Sequence, residues 1–179
     1  EAIVAAARRL DAAGLMPSKS GNLSVRDGRG FLITPAALPY AQMTPADIVV
    51  LDEDGVPVEG AAHRPSSEWR LHAAIYAKRP EVGAVVHTHT PYSIAWSFTG
   101  RDIPLITWHA RLKMPCPIPV LAIDSPEVTA GHIPLVYSLL EGQPALRAFV
   151  LQGHGIVAFE KSAVLAEELR ILPGRAGVA

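Results

Sequence analysis

Cysteine is almost absent from this sequence. Cys116 is the only one in 179 residues, so no disulfide can form within the chain. A reducing compartment suits such a chain, and a cytoplasmic location is the expectation. Long apolar runs are missing too. The longest candidate, 103–120, is interrupted by Arg111, Lys113 and several prolines, which is not the composition of a membrane span. Neither sign of charge dominates. The 16 Lys and Arg stand against 17 Asp and Glu, so there is no basic excess of the kind that marks a nucleic-acid-binding surface. The first stretch has no secretory pattern, because Arg8 and Arg9 follow its apolar residues instead of preceding them. Charged residues make up 18% and apolar residues 49%, the balance of a soluble globular chain and not a disordered one. A single domain over 1–179 is long enough to bury a real core.

Periodicity and turn residues outline the elements. Residues 2–13 are alanine-rich and stop at Gly14, which predicts a helix. Runs 21–26 and 30–34 flank Asp27-Gly28 and predict a hairpin. A second pair, 48–52 and 56–59, flanks Glu53-Asp54-Gly55. Residues 66–78 lie between Pro65 and Pro80 and predict a helix, with Ser66 or Ser67 near its cap and Glu68 in its first turn. A strand is predicted at 82–88 and a helix at 91–99, with Pro91 at an early position. Segment 103–122 is broken by prolines and predicts nothing regular. Beyond it come a helix over 126–141 (weakened by Gly131 and Pro134), strands at 147–151 and 155–159, and a last helix from near Ser162. The sum is one α/β domain with a mixed, mostly antiparallel sheet and helices on both faces.

A few polar residues stand out against this frame. His87 and His89 lie two apart on a predicted strand, so both imidazoles point to one face. Such a pair suits a metal, and equally suits two histidines that are solvated or satisfied in a core. His154 lies between Gly153 and Gly155, where a tight bend can turn one side chain into a cleft or simply turn the chain. Glu68 reads either as a favourable charge at a helix start or as a ligand. Three imidazoles and a carboxylate together are a set for zinc or a similar ion. Gly21-Asn22 and Ser66-Ser67 open a strand and a helix, where backbone N–H groups and hydroxyls can hold an anion or merely cap. His72 follows Glu68 by one helical turn and reads as support for it. His63 and His132 read as surface or loop residues, and His109 as a residue that could line a cleft.

Taken in order, SGNLSVR (20–26), FLITPAALPY (31–40), RPSSEWRLHAAIY (64–76), AVVHTHTPYSIAWS (84–97), IPV (118–120) and LQGHGIVAF (151–159) resemble the class II aldolase/adducin family over nearly the whole chain. The resemblance implies a three-layer α/β/α sandwich, commonly a homotetramer with sites at subunit interfaces. It implies one divalent metal per subunit, zinc first, with Mn²⁺, Co²⁺ and Fe²⁺ as alternatives. Its ligands would be His87, His89 and His154, with Glu68 as a fourth ligand or as the group that moves a proton. Gly21, Asn22, Ser66 and Ser67 would hold the anionic end of a small-molecule substrate, and neither nucleic acid nor membrane is an implied partner. The implied reaction is aldolase-type cleavage of a carbon–carbon bond in a small hydroxy-carbonyl, sugar-like or keto-acid substrate, through an enediolate stabilised by the metal. The alternatives are a decarboxylase, a sugar-phosphate epimerase and a non-catalytic adducin-like scaffold. Three departures bear on the choice. Ala36-Ala37 stands where the family's sugar-phosphate aldolases tend to have Thr-Gly or Ser-Gly. Trp108 stands near a position where one branch has a tyrosine. Arg111 stands near an epimerase aspartate and could instead grip a carboxylate.

Overall fold

The computed structural model describes residues 1–58 and 60–162. Seven strands build one sheet: β1 (Asn22–Asp27), β2 (Gly30–Ile33), β3 (Val49–Leu51), β4 (Ala84–Thr88), β5 (Val120–Leu121), β6 (Ala148–Leu151) and β7 (Gly155–Glu160). Their order is β3-β2-β1-β4-β7-β6-β5. Every neighbouring pair is antiparallel except β5 with β6. The sheet is therefore mixed and mostly antiparallel, as the hairpins implied.

Among the described residues five helices cover it: α1 (Ala2–Ala12), α2 (Trp69–Lys78), α3 (Pro91–Ser97), α4 (Trp108–Lys113) and α5 (Ile133–Gly142). Side-chain alternation assigns the faces. On β4, Val85 packs with Leu71 and Ile75 of α2 and with Val136 and Leu140 of α5. Ala84 and Val86 turn the other way, onto Ile3, Ala7 and Leu10 of α1. Val150, Ile156 and Ala158 face that second side and meet Met114 and Ile118. The result is a three-layer α/β/α sandwich. β4 is covered on both faces, so all five of its residues are buried and its sequence shows no polar alternation. His87 shares the parity of Val85 and so points toward the α2 layer. Among the described residues no helix is long and apolar enough to cross a membrane.

Several boundaries differ from those expected, each for a local reason. The 66–78 helix begins at Trp69, and Glu68 is its N-cap residue. Ser66 N–H donates to Thr34 O and Ala36 N–H to Arg64 O, so 64–66 is tied alongside 34–36 and cannot turn helically. Of the expected pair at 48–52 and 56–59, only β3 is a full strand. Pro57 forms a single bridge to Leu51 and has no N–H with which to extend a ladder. The 126–141 helix starts later, with a 3₁₀ turn at Ala130–His132 and then α5. Pro134 lies in the first turn of α5, where a missing N–H costs nothing. Segment 103–122 is more regular than its prolines suggest. It holds α4, whose Ala110 N–H donates to Thr107 Oγ1 at 3.0 Å, and β5. The helix expected beyond Ser162 lies outside the described residues.

Candidate metal centre

Three elements bring four side chains together. β4 carries His87 at its interior, with His89 just past its end. The turn between β6 and β7 carries His154, and the N-cap of α2 carries Glu68. Two glycines make the approach possible. A Cβ on Gly155 would lie 2.5 Å from Thr88 O and 3.0 Å from His87 Cε1. Gly21, at φ +85°, is in the left-handed region, and a Cβ there would lie 2.7 Å from His87 O.

The donor atoms converge. His87 Nε2 is 2.9 Å from His89 Nε2 and 3.2 Å from His154 Nε2. Glu68 Oε2 is 3.1 Å from His87 Nε2, and Glu68 Oε1 is 3.3 Å from His154 Nε2. All four ligand atoms lie within 4.8 Å of one another. The Nδ1–H of His87 donates to Ile156 O at 3.1 Å, which turns its Nε2 lone pair toward the cluster. Glu68 Oε1 is buried without a hydrogen-bond partner. One proton can bridge only one of these close pairs. A cation at the centre satisfies all four, so the residues fit a divalent metal, and an N₃O set of this kind suits zinc, cobalt, manganese or iron.

Electrostatics agree with that fit. Burial alone would raise the Glu68 carboxyl, but His87, His154 and the Asn22 amide outweigh it and hold the group well below the usual carboxylate range. Burial, with His87 and His154 as neighbours, pushes His89 down to about 3. His154 is lowered as well, by burial first and His87 next. His89 and His154 are therefore neutral at ordinary pH and have lone pairs to offer.

A cavity of about 240 Å³ opens beside the cluster. Gly21, Asn22, Ser66 and Ser67 all line it, with Glu68, His89 and His154. Asn22 lines it with little to spare, since both ends of its amide are bonded inward, to Glu68 and His72. Two charged lining residues escaped the sequence reading, Lys19 and Glu127. Neither lies in a repeat or a paired motif, so only the fold could assign them. Ala36 and Ala37 also line the cavity, and Ala37 has φ +62° although it is not glycine. Arg111 is not among the lining residues. Its Nε–H donates to Leu105 O at 2.8 Å, and its guanidinium lies over the Trp108 ring. His63 contacts Asp47 at 2.9 Å, and His109 is exposed. His132, expected at the surface, is 8% exposed, with its ring between Thr129 and Asp124.

A close-set N₃O donor group beside a cavity, carried on an α/β/α sandwich, is a candidate divalent-metal site. Residues 1–169 match the Class II Aldolase and Adducin N-terminal domain, and the chain belongs to that family. It is 37% identical over 180 residues to a 5-methylthioribulose-1-phosphate/5-deoxyribulose-1-phosphate aldolase of Escherichia coli O45:K1, covering 96% of this chain and 80% of that one. It is 37% identical to an L-fuculose phosphate aldolase of Escherichia coli K12, covering 89% of this chain and 73% of that one. The crystal structure of an L-fuculose-1-phosphate aldolase from Thermus thermophilus superposes with a TM-score of 0.83 at 28% identity, over 97% of this chain and 87% of that one. Aldolases of this family are divalent-metal enzymes acting on small molecules. This chain is an enzyme of the same kind, a carbon–carbon lyase of the aldolase type.

Proposed function

We propose that this single domain, spanning residues 1–179, cleaves a small phosphorylated ketose, with His87, His89, His154 and Glu68 holding one divalent metal ion, zinc in the first instance. One observation carries the reading: a single cavity is lined by three of the four donors, Glu68, His89 and His154, and by Gly21, Ser66, Ser67 and Lys19, with His87 buried against those donors. A glycine turn, two hydroxyls and an ammonium are the donors a phosphate takes. Three relatives at 37% identity are named for ketose phosphates, which supports the same substrate class. Ala36 and Ala37 offer no hydroxyl, so the phosphate would rest on Gly21, Ser66, Ser67 and Lys19.

A bound divalent ion supplies Lewis acidity toward the substrate carbonyl and its neighbouring oxygen. The chain supplies the rest. In aldol cleavage the hydroxyl beside the breaking bond loses its proton, that bond breaks, and its electron pair passes to the carbon next to the carbonyl. That carbon then takes up a proton. Glu68 is the group for proton transfer, because Oε1 is buried, unpartnered and turned to the cluster. Such a role is worth roughly 10²–10⁴-fold in rate. Arg111, which could have gripped a carboxylate, is engaged outside the cavity.

The test is direct. The protein is stripped with a chelator, reloaded with zinc, cobalt or manganese, and assayed for aldehyde release from L-fuculose 1-phosphate and 5-deoxyribulose 1-phosphate. Cleavage that needs metal and fails on the dephosphorylated sugars is expected. Release of carbon dioxide from keto acids, with no cleavage of phosphorylated ketoses, would overturn the proposal.

A further inference from the structure

Behind Glu68 lies a run of polar side chains that the metal reading does not use. Asn22, Ser24, His72 and Tyr76 are buried on the α2 side of the sheet, where the remaining residues are mostly aliphatic. They connect in one line. Asn22 Nδ2 donates to Glu68 Oε2 at 3.0 Å. Asn22 Oδ1 is 2.5 Å from His72 Nε2. His72 Nδ1 is 2.6 Å from Ser24 Oγ, which is 2.8 Å from Tyr76 Oη. The spacing explains why they meet. Residues 22 and 24 share one face of β1, and residues 68, 72 and 76 follow one another at single turns along α2.

The direction of the bonds follows from the carboxylate. An ionised Glu68 only accepts, so Asn22 turns its NH₂ to it and its carbonyl to His72. His72 must then donate from Nε2. A neutral imidazole carries one proton, so Nδ1 accepts from Ser24 O–H. Ser24 has a single hydrogen, and Tyr76 O–H therefore donates to Ser24. Every donor in the line therefore points toward Glu68.

We propose that Asn22, His72, Ser24 and Tyr76 are positioning residues, a one-way hydrogen-bond relay that pins Glu68 by Oε2 and leaves Oε1 to face metal and substrate. The task given to Glu68 rests on the lyase reading, whereas the relay belongs to the metal-free protein. Pinning one oxygen fixes the rotation of the carboxyl. It also leaves the other oxygen, Oε1, without a hydrogen bond and beside His154 Nε2. None of the three residues behind Asn22 lines the cavity, so they act through it and not on the substrate.

The first measurement needs no variant. Nitrogen NMR of the metal-free protein, labelled at histidine, should find His72 neutral with its proton on Nε2. A proton on Nδ1 would reverse the line and overturn the proposal. The second measurement uses Ser24→Ala and Tyr76→Phe, which leave the four metal donors untouched. Ser24→Ala should lower cobalt(II) affinity or kcat by roughly 10–100-fold, the usual cost of losing a partner behind a ligand. Cobalt absorption bands should shift, while KM for L-fuculose 1-phosphate stays within about two-fold. Tyr76→Phe should act in the same direction and less. A fall in Tm with cobalt affinity, spectrum and kcat all unchanged would make these residues merely structural and overturn the proposal. If the unaltered protein cleaves no phosphorylated ketose, the proposed substrate class falls, and the tautomer and cobalt measurements still decide the relay.

Discussion

At the scale of the residue, the site depends on three imidazoles brought together beside Glu68. Removing one of them removes a metal donor from the centre. His154→Ala should lower bound metal to a small fraction of one per chain and reduce cleavage by roughly 10³-fold or more, read by elemental analysis beside a rate assay. Acid should act on the same region without any substitution. Burial, then the neighbouring His87, pushes His72 down to about 3. In the unfolded chain it returns to about 6.5. Between those values the unfolded chain binds a proton that the folded chain refuses. Its contribution is therefore fully present above about pH 6.5 and is lost as pH falls toward 3, by up to about 1.4 kcal/mol per pH unit. Urea midpoints of the metal-free protein at pH 8, 6 and 5 check this, and equal midpoints at all three would contradict it.

At the scale of the element, strand pairing and one buried arginine hold the layers. Arg79 follows α2 and donates to Leu140 O, Gln143 O and Pro144 O, satisfying carbonyls at the end of α5. Arg79→Ala leaves those carbonyls bare in a buried place and should cost about 2–4 kcal/mol in denaturant unfolding, with metal stoichiometry unchanged. Much of this level was legible in the sequence. Hairpin β1–β2, strand β4, strands β6 and β7 and their histidine turn all carry strong local signals, and local signals are what a sequence displays. The start of α2 was not legible, because bonds from 64–66 to 34–36 hold it back. α4 was hidden in a proline-rich stretch, since six residues are too few to show a period. Spacing made His87 and His89 a legible candidate pair, and the ordered resemblance joined His154 and Glu68 to them as a candidate metal set. Lys19 and Glu127 reach the cavity by tertiary folding alone.

At the scale of the whole molecule, two short helices stand out for exposed apolar side chains. Tyr92, Trp96, Phe98, Ile106, Trp108 and Leu112 are exposed on α3, α4 and their flanks, with Trp108 at 80% and Leu112 at 84%. Exposed apolar side chains suit an association surface. The homotetramer expected from the family resemblance would have such residues to cover. Light scattering of the purified protein should give four times the chain mass, and Leu112→Glu should shift it to smaller species while the fold by circular dichroism is retained. A monodisperse monomer before any substitution would refute that expectation.

The order of the donors along the chain has a consequence for how the protein forms. Glu68, His87 and His89 lie within one short stretch, but His154 arrives from far along the sequence. The strands that bring it in, β7 against β4, pair residues about seventy positions apart. Closures of that range dominate folding time. Capture of cobalt by the complete donor set is thus a clock for the last step of refolding. Its colour should appear with the slowest phase, after the burst of secondary structure, because three donors held on local chain must wait for the fourth.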